Sequence, residues 1–381
     1  MKQTNRQFDF AVIGAGIAGT SIASELAQHS SVLLLEMESH PGYHSTGRSA
    51  ALFAPAYGPP PIRALTRASS DFFHDPPKSF CDKTLLSPRG FLMISNSSQL
   101  PALTNYYREI SQDSNAEWLD TVQLLHRYPL IKKEYAHAGV LETDSSDIDV
   151  NTLHQGFLNA LKIWKGQLQP DARVHQLKRT QGKWHIKTSG GDFQSSAVVN
   201  AAGAWADETG KMAGAEVIGL VPKRRTAILI EAPDNQALHT LPLIADVDES
   251  FYMKPDAGRL LISPANEDPM PPCDVQPEEM DIAMCIDRVE NTLNIDTRKI
   301  INKWAGLRSF VSDKCPVVGY SNQVENFFWL AGQGGYGIQT SPALSRYASA
   351  LALGEDLPRD VLAEGLNPSS ISVDRFTKST S

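Results

Sequence analysis

The stretch FDFAVIGAGIAGTSIASELAQHSSVLLLE, residues 8–36, decides the fold. Phe10, Ala11, Val12 and Ile13 form an apolar run with no polar interruption, which predicts a strand covered on both faces. Gly14-Ala15-Gly16-Ile17-Ala18-Gly19 follows at once. Gly14 allows a tight turn, Gly16 lets a pyrophosphate approach the backbone, and Gly19 lets the next helix pack close to the strand. Ile17, Ala18, Ser21, Ile22, Glu25 and Leu26 give that helix small or apolar residues at near-helical spacing. Its free N–H groups and positive dipole end would face phosphates. A second strand is expected over 32–35, with Glu36 at its carboxyl end, where a carboxylate accepts from a ribose hydroxyl and repels a 2′-phosphate. Strand, glycine turn, helix, strand and acid in register predict dinucleotide binding. The bland alternative, a tight strand-helix turn in an ordinary α/β domain, leaves Glu36 without a role. FAD and NAD are not distinguished by this stretch.

The 381 residues leave room for two domains, and 41% hydrophobic with 20% charged content is ordinary for a globular enzyme. A net charge of −8 without a long basic run argues against a nucleic-acid partner. Cys81, Cys273, Cys285 and Cys315 show no CxxC or other metal-ligand spacing, and the histidines no HExxH cluster. No metal is expected, and reduced thiols suit a cytoplasmic location. The polar start of the chain reads as no signal peptide, and no apolar run reaches membrane-spanning length. Peripheral contact with the inner membrane is left open, and oligomeric state is not legible.

Beyond Glu36, the run PGYHSTGRSAA at 41–51 offers small and hydroxyl residues suited to a backbone that hugs a ligand. Arg48 within it fits either a pyrophosphate contact or a surface ion pair. Gly58-Pro59-Pro60-Pro61 is a stiff break, taken as the start of a second domain. Helix is expected over 62–73, strand over 90–95, mostly helix over 103–125 and helix again over 151–164. Short strands follow near 173–177 and 184–187. Residues 197–205 (AVVNAAGAW) read as a second buried strand entering a glycine turn, ahead of a helix at 206–213. Strand 226–230 follows Lys223-Arg224-Arg225, a hairpin spans 250–263, and 268–279 is a Pro- and acid-rich loop. A short strand or turn is expected at 304–310. Residues 327–337 (FFWLAGQGGYG) give a third strand and glycine turn before a helix at about 339–353. Three such turns fit convergence on one long ligand. The polar tail after Pro368 is expected to be disordered.

Together these segments resemble the FAD-dependent D-amino-acid oxidase and glycine oxidase superfamily, on GAGIAG with Glu36, NAAGAW at 200–205, and GLR with GQGGYG at 332–337. Within it the chain looks most like the bacterial D-arginine dehydrogenases, through PGYHSTGRSAA, VPKRRTA at 221–227, DESFYMKPDAG at 248–258, WAGLRSFV at 304–311 and GQGGYGIQTS at 332–341. The resemblance implies an α/β (α+β) fold, with a discontinuous Rossmann-like FAD-binding domain (1–57, 146–218 and 310–370). A substrate domain with a mixed sheet (58–145 and 219–309) would roof the flavin, leaving 371–381 as the tail. It implies FAD contacts from Gly14, Gly16, Ile17, Ala18 and Glu36, and from Thr46, Gly47, Arg48 and Ser49. Val174, Ala202, Gly203, Trp205, Gly334, Gly335, Tyr336, Gly337, Ile338 and Gln339 complete the implied set. No cysteine stands at the position of covalent attachment near GLR, so FAD is expected to be held non-covalently.

An amino-acid dehydrogenase must grip the substrate carboxylate and present Cα–H to the flavin, and an arginine fork is the natural grip. The resemblance gives that role to Arg225 and Arg308. It places Tyr57 and Tyr252 on the substrate, and backbone groups of Gly335 and Tyr336 on its amine. Composition alone would make each arginine a surface ion pair and each tyrosine an amphipathic core residue. Arginine-preferring relatives carry a glutamate after the LLSPR word, where this chain has Phe91, and a histidine where it has Leu52. Leu243 and Ala245 are apolar too. A cationic side chain buried without a counter-charge costs several kcal/mol, so neutral or apolar D-amino acids are expected to be preferred. Hydride leaves Cα, and the imine hydrolyses to a 2-oxo acid and ammonia. Secondary-amine or imino-acid oxidation (proline or N-methyl amino acids), FAD binding without turnover, and an NAD-dependent dehydrogenase are the alternatives. The electron acceptor (quinone, oxygen or other) and the choice between oxidase and dehydrogenase are left open.

Overall fold

The computed structural model describes residues 7–112, 114–232, 241–297 and 299–376. Its first sheet grows from the opening stretch. Strand Gln7–Ile13 lies parallel to Val32–Leu35 on one side, with Ile13 opposite Leu35. On its other side it lies parallel to Gly191–Asn200, with Ile13 opposite Asn200. Phe327–Ala331 continues the parallel order, with Trp329 opposite Asn200. The three strands that precede glycine turns therefore end side by side. These central strands are buried on both faces, which is why they read as uninterrupted apolar runs. Helix Ile17–Leu26 lies between the helices Val150–Ile163 and Gly337–Leu353 over one face, in a core of Val12, Ile22, Leu34, Val199, Leu330 and Leu344. Gly14 has φ +98°, and a Cβ on it would lie 2.5 Å from the Ala201 carbonyl oxygen, so the turn admits no side chain.

The second sheet is mixed. Its main path runs Asp268–Pro269, Val221–Ile230, Arg259–Ser263, Tyr252–Asp256, Leu243–Asp246, Phe91–Ser95, Ala138–Glu142 and Ala116–Asp120. Ile300–Phe310 pairs antiparallel along the whole of Val221–Ile230. Leu243–Asp246 is parallel to Phe91–Ser95, and the other pairs are antiparallel. Period-two alternation gives the sheet two faces. Ile228, Ile244, Met253 and Ile262 pack with helix Glu279–Thr292 on one, while Phe91, Met93, Leu243, Ala245 and Tyr252 share the other. A small third sheet joins Leu52–Phe53, Ser146–Ile148 and Leu86–Pro88.

Several local expectations change. The helix expected over 103–125 is Leu100–Ile110 only, followed by edge strand Ala116–Asp120 and helix Thr121–Arg127. Asp120 ends the strand and starts the helix by accepting from the Gln123 N–H at 2.9 Å, a capping box that the apolar pattern concealed. The 62–73 segment is two helices, Pro60–Arg67 and Ser70–His74. After the stiff break the first of them packs Ala64 and Leu65 into the core of the first sheet. Glu279–Thr292 is a 14-residue helix where the sequence pattern announced only the loop before it. The 304–310 segment belongs to an 11-residue strand. The tail is ordered as far as it is described. The Val318 N–H donates to the Ile371 carbonyl at 2.8 Å, and Ile371 and Val373 are buried, so apolar contacts dock a segment that polarity marked as free. Residues 377–381 of that expected tail lie outside the described residues. Among the described residues no helix is long and apolar enough to cross a membrane.

Candidate active site

One continuous cleft, with a cavity volume of about 390 Å³, runs from the end of the first sheet to the apolar face of the second. It gathers Gly14, Gly16, Ile17, Ala18, Glu36, Thr46, Arg48, Ser49, Val174, Ala202, Gly203 and Trp205 toward one end, while the turn from Gly334 to Gln339 also lines it and touches the other end through Arg308 and Tyr57. Tyr57, Phe91, Leu243, Ala245, Tyr252, Arg225 and Arg308 surround the other end, with Leu52 between. Gly47 does not line the cleft; its N–H donates to the Gly42 carbonyl at 2.8 Å and closes the loop beside it.

At the first end the glycine turn is fixed from behind. The Glu36 carboxylate accepts from the Ala15 N–H at 2.8 Å and from the Glu38 N–H at 2.9 Å, and each oxygen keeps a lone pair for a ligand hydroxyl. Thr46 Oγ1 accepts from the Ile17 N–H at 2.9 Å, where the first helix begins. His154, on helix Val150–Ile163, donates Nε2–H to the Ala15 carbonyl at 2.9 Å, and burial holds its pKa below the ordinary value. Nothing in the sequence singled it out. Arg48 lines the cleft and also makes an ion pair: its guanidinium reaches Asp274 and the carbonyls of Val275 (3.1 Å) and Ala305 (3.0 Å). It clips the 41–51 loop to the second sheet.

The residues fit FAD. The cradle is backbone at a helix start, with an acid at the next strand end, and the cleft holds an unsatisfied buried donor. Gln339 is buried near the start of helix Gly337–Leu353; its Oε1 accepts from the Ala54 N–H at 3.1 Å, while its Nε2 has no partner among the described residues. Such an orphan in a ligand cleft is a waiting contact.

At the second end, Val221–Ile230 and Ile300–Phe310 pair with Arg225 opposite Gly306 and Arg308 opposite Lys223. Both arginines therefore emerge on the same face, diagonal to one another, with a glycine opening the space between strands. Arg308 lies directly on the third glycine turn: a Cβ on Gly335 would fall 1.6 Å from its Nη2. Among the described residues no carboxylate lies within salt-bridge distance of Arg308, and its guanidinium sits 5.9 Å from the Phe310 ring. Arg225 is partly committed, with Nε donating to the Asn266 carbonyl at 2.9 Å and Nη2 3.4 Å from Glu267. Burial, and then the Arg308 charge, lower its pKa; a guanidinium stays charged at neutral pH all the same. Two diagonal guanidinium groups, one of them without a carboxylate partner among the described residues, make a site for a planar anion.

Tyr57 packs edge-on against Phe91 at 5.6 Å, and its hydroxyl donates to Glu249 at 2.8 Å. Burial, followed by the Glu249 charge, pushes its pKa well up, so the phenol is a neutral donor. Glu249, exposed in the turn before Tyr252–Asp256, was not singled out from sequence; its place in the DESFY word was the available signal. Beside Phe91, directly opposite it on the neighbouring strand, Glu142 is buried and takes the Tyr106 hydroxyl; burial first raises its pKa to about 7.

The chain matches the family model described as FAD dependent oxidoreductase over residues 9–351. It is 26% identical over 254 residues to mitochondrial dimethylglycine dehydrogenase of Rattus norvegicus, covering 62% of this chain and 30% of that one. It is 23% identical over 388 residues to 4-methylaminobutanoate oxidase (formaldehyde-forming) of Paenarthrobacter nicotinovorans, covering 96% of this chain and 45% of that one. The chain thus spans less than half the length of these curated relatives. Glycine oxidase from Geobacillus kaustophilus superposes with a TM-score of 0.80 at 20% identity, covering 96% and 99% of the two chains. The family match, carried by the cradle and the cleft that continues from it, makes this chain a member of the FAD-dependent oxidoreductases.

Proposed function

We propose that the protein oxidises a D-amino acid with a neutral or apolar side chain, in the manner of the D-arginine dehydrogenases it resembles but with a changed pocket. The product would be a 2-oxo acid and ammonia. The observation that supports this best is Arg308, a half-buried guanidinium lining the cleft without a carboxylate partner among the described residues, diagonal to Arg225 and close to apolar side chains. A carboxylate held by Arg308 and the free edge of Arg225 supplies the missing charge. FAD, when bound, supplies the two-electron oxidation. Gly335 offers its backbone next to Arg308, beside the position a substrate amine would take. Tyr57 and Tyr252 close the substrate off from water, and Phe91, Leu243 and Ala245 receive its side chain. Glu249 lines this half but is exposed and turned to Tyr57, and Glu267 is engaged by Lys223 and Arg225. Glu142, beside Phe91, does not line the cleft and is taken up by Tyr106. The lining by Phe91, Leu243 and Ala245 therefore offers no free counter-charge to a cationic substrate.

Oxidation of an N-methyl or other secondary amino acid is the second reading. It is favoured by similarity to the dimethylglycine and 4-methylaminobutanoate enzymes and uses the same carboxylate grip. Anaerobic bleaching of the bound flavin, screened over D-, L- and N-methyl amino acids and repeated in air with peroxide detection, separates the readings. D-Leu, D-Met and D-Phe are expected to outrun D-Arg; a large D-Arg advantage, or bleaching by N-methyl substrates alone, would sink the first.

A further inference from the structure

The two adjacent arginines of the KRR run have opposite fates. Arg224 leaves the strand on the face covered by helix Glu279–Thr292, where it is 5% exposed. Its Nε donates to Asp281 Oδ2 at 2.8 Å, and Glu278 and Asp268 add further carboxylates. Asp281, itself 2% exposed, also accepts from Thr226 Oγ1 at 2.6 Å and from Asn266 Nδ2 at 3.2 Å.

Asn266 is the link between this buried cluster and the cleft. Nδ2 also donates to Asp268 at 2.8 Å, and Oδ1 accepts from the Thr226 N–H at 2.9 Å. Its main-chain oxygen accepts from Arg225 Nε at 2.9 Å. The next residue, Glu267, faces Arg225 Nη2. This turn begins at Ala265, whose φ of +50° lies in the left-handed region, a conformation costing an alanine about 1 kcal/mol and kept only where the surroundings over-determine it. The constraint is visible: the Ala265 N–H donates to Ser263 Oγ at 3.2 Å, and that hydroxyl donates to the Thr226 carbonyl at 2.6 Å.

We propose that Asn266 is a positioning residue for substrate binding, fastening the 264–267 turn to buried Asp281 so that its carbonyl holds Arg225 with a free edge toward the substrate carboxylate. With Nε given to Asn266 and Nη2 leaning to Glu267, Nη1 is the group left for the ligand. The inference rests on reading Arg225 and Arg308 as the carboxylate site. Among the described residues Arg308 has no comparable tether, so precision in the pair falls to Arg225 and its turn.

The test uses FAD-loaded enzyme and benzoate as a carboxylate probe, followed by its perturbation of the visible flavin spectrum. Asn266→Ala is expected to weaken benzoate and to raise KM for the best amino acid, each by about tenfold, the scale of one lost hydrogen bond. The maximal rate of anaerobic flavin reduction should stay within about twofold and FAD should remain bound. Asn266→Ser, which keeps an acceptor for Thr226 but not both donations, should fall between and covers the case in which the alanine variant does not fold. Unchanged benzoate affinity and KM, or a parallel loss of FAD, rate and melting temperature, would overturn the proposal. Arg308→Met separates the two readings. If it loses benzoate while Asn266→Ala and Asn266→Ser keep it, only the positioning role fails. If it binds benzoate like the wild type, the carboxylate site fails and this proposal with it.

Discussion

The two halves of the cleft are built on different principles. The cofactor end is backbone: a glycine turn, amides at a helix start and one strand-end acid, all within residues 8–36. The substrate end is side chain, brought together from Tyr57, Phe91, Arg225, Tyr252 and Arg308 on segments far apart in the chain. A backbone cradle fails completely when space is taken from it, whereas a side-chain pocket can be retuned one group at a time.

The largest effect expected from this contrast is at Gly14. Gly14→Val meets the Ala201 carbonyl and a positive φ, so the purified protein should be colourless apoprotein; a yellow, fully loaded product would break the comparison at its root. Arg308→Met should keep FAD but lower kcat/KM by roughly a hundredfold or more, since truncating one partner of a buried charge pair costs about 2–5 kcal/mol. Arg225→Met should cost less, because part of its fork is already spent on Asn266 and Glu267. Equal losses in the two variants, measured by steady-state kinetics, would show that the asymmetry between them has no functional weight. Phe91→Glu should raise the D-Arg to D-Leu ratio of kcat/KM by about tenfold or more by placing a counter-charge in the wall. It also sets two carboxyl groups opposite each other, at 91 and 142, so the gain should be largest at alkaline pH where both ionise.

The smallest effect is on stability. Glu142 holds its proton up to about pH 7 in the fold, against about 4.5 when unfolded. Between those values the folded state binds the extra proton, so stability falls as pH rises through that window and levels off above it. Glu142→Gln removes the slope while keeping an acceptor for Tyr106. It should match the wild type in unfolding free energy near pH 4 and exceed it at pH 8 by on the order of 3 kcal/mol. A wild-type curve without that slope would show that Glu142 does not hold its proton toward neutral pH.

Legibility follows the same division. The cradle could be read because its parts lie within one βαβ unit, and the glycine turns at 201–203 and 332–337 because each follows a run of apolar residues buried on both faces. Arg225 stood next to two other cations in the sequence; only strand alternation, which sends Arg224 beneath a helix and Arg225 into the cleft, separates them. Glu249, His154 and Asn266 escaped notice because their partners, Tyr57, Ala15 and Arg225, lie across turns or sheets with no local pattern joining them. Arg48 was ambiguous for the same reason, its acid, Asp274, being more than two hundred residues away. The 116–120 strand was lost inside a stretch whose spaced apolar residues look helical from end to end.

The register between Val221–Ile230 and Ile300–Phe310 also bears on how the family can diverge. Side chains alternate along a strand, so inserting or deleting one residue within 300–307 would turn Arg308 to the opposite face and bring Leu307 or Ser309 into its place. Two residues would restore the face but carry the guanidinium nearly 7 Å along the strand. Only a bulge, such as the one between the pairs Leu229–Asn302 and Ile230–Ile300, absorbs a change in length and leaves Arg308 in place, so new substrate ranges arise more readily by substitution on the walls or by growth of the loops beyond the ladder.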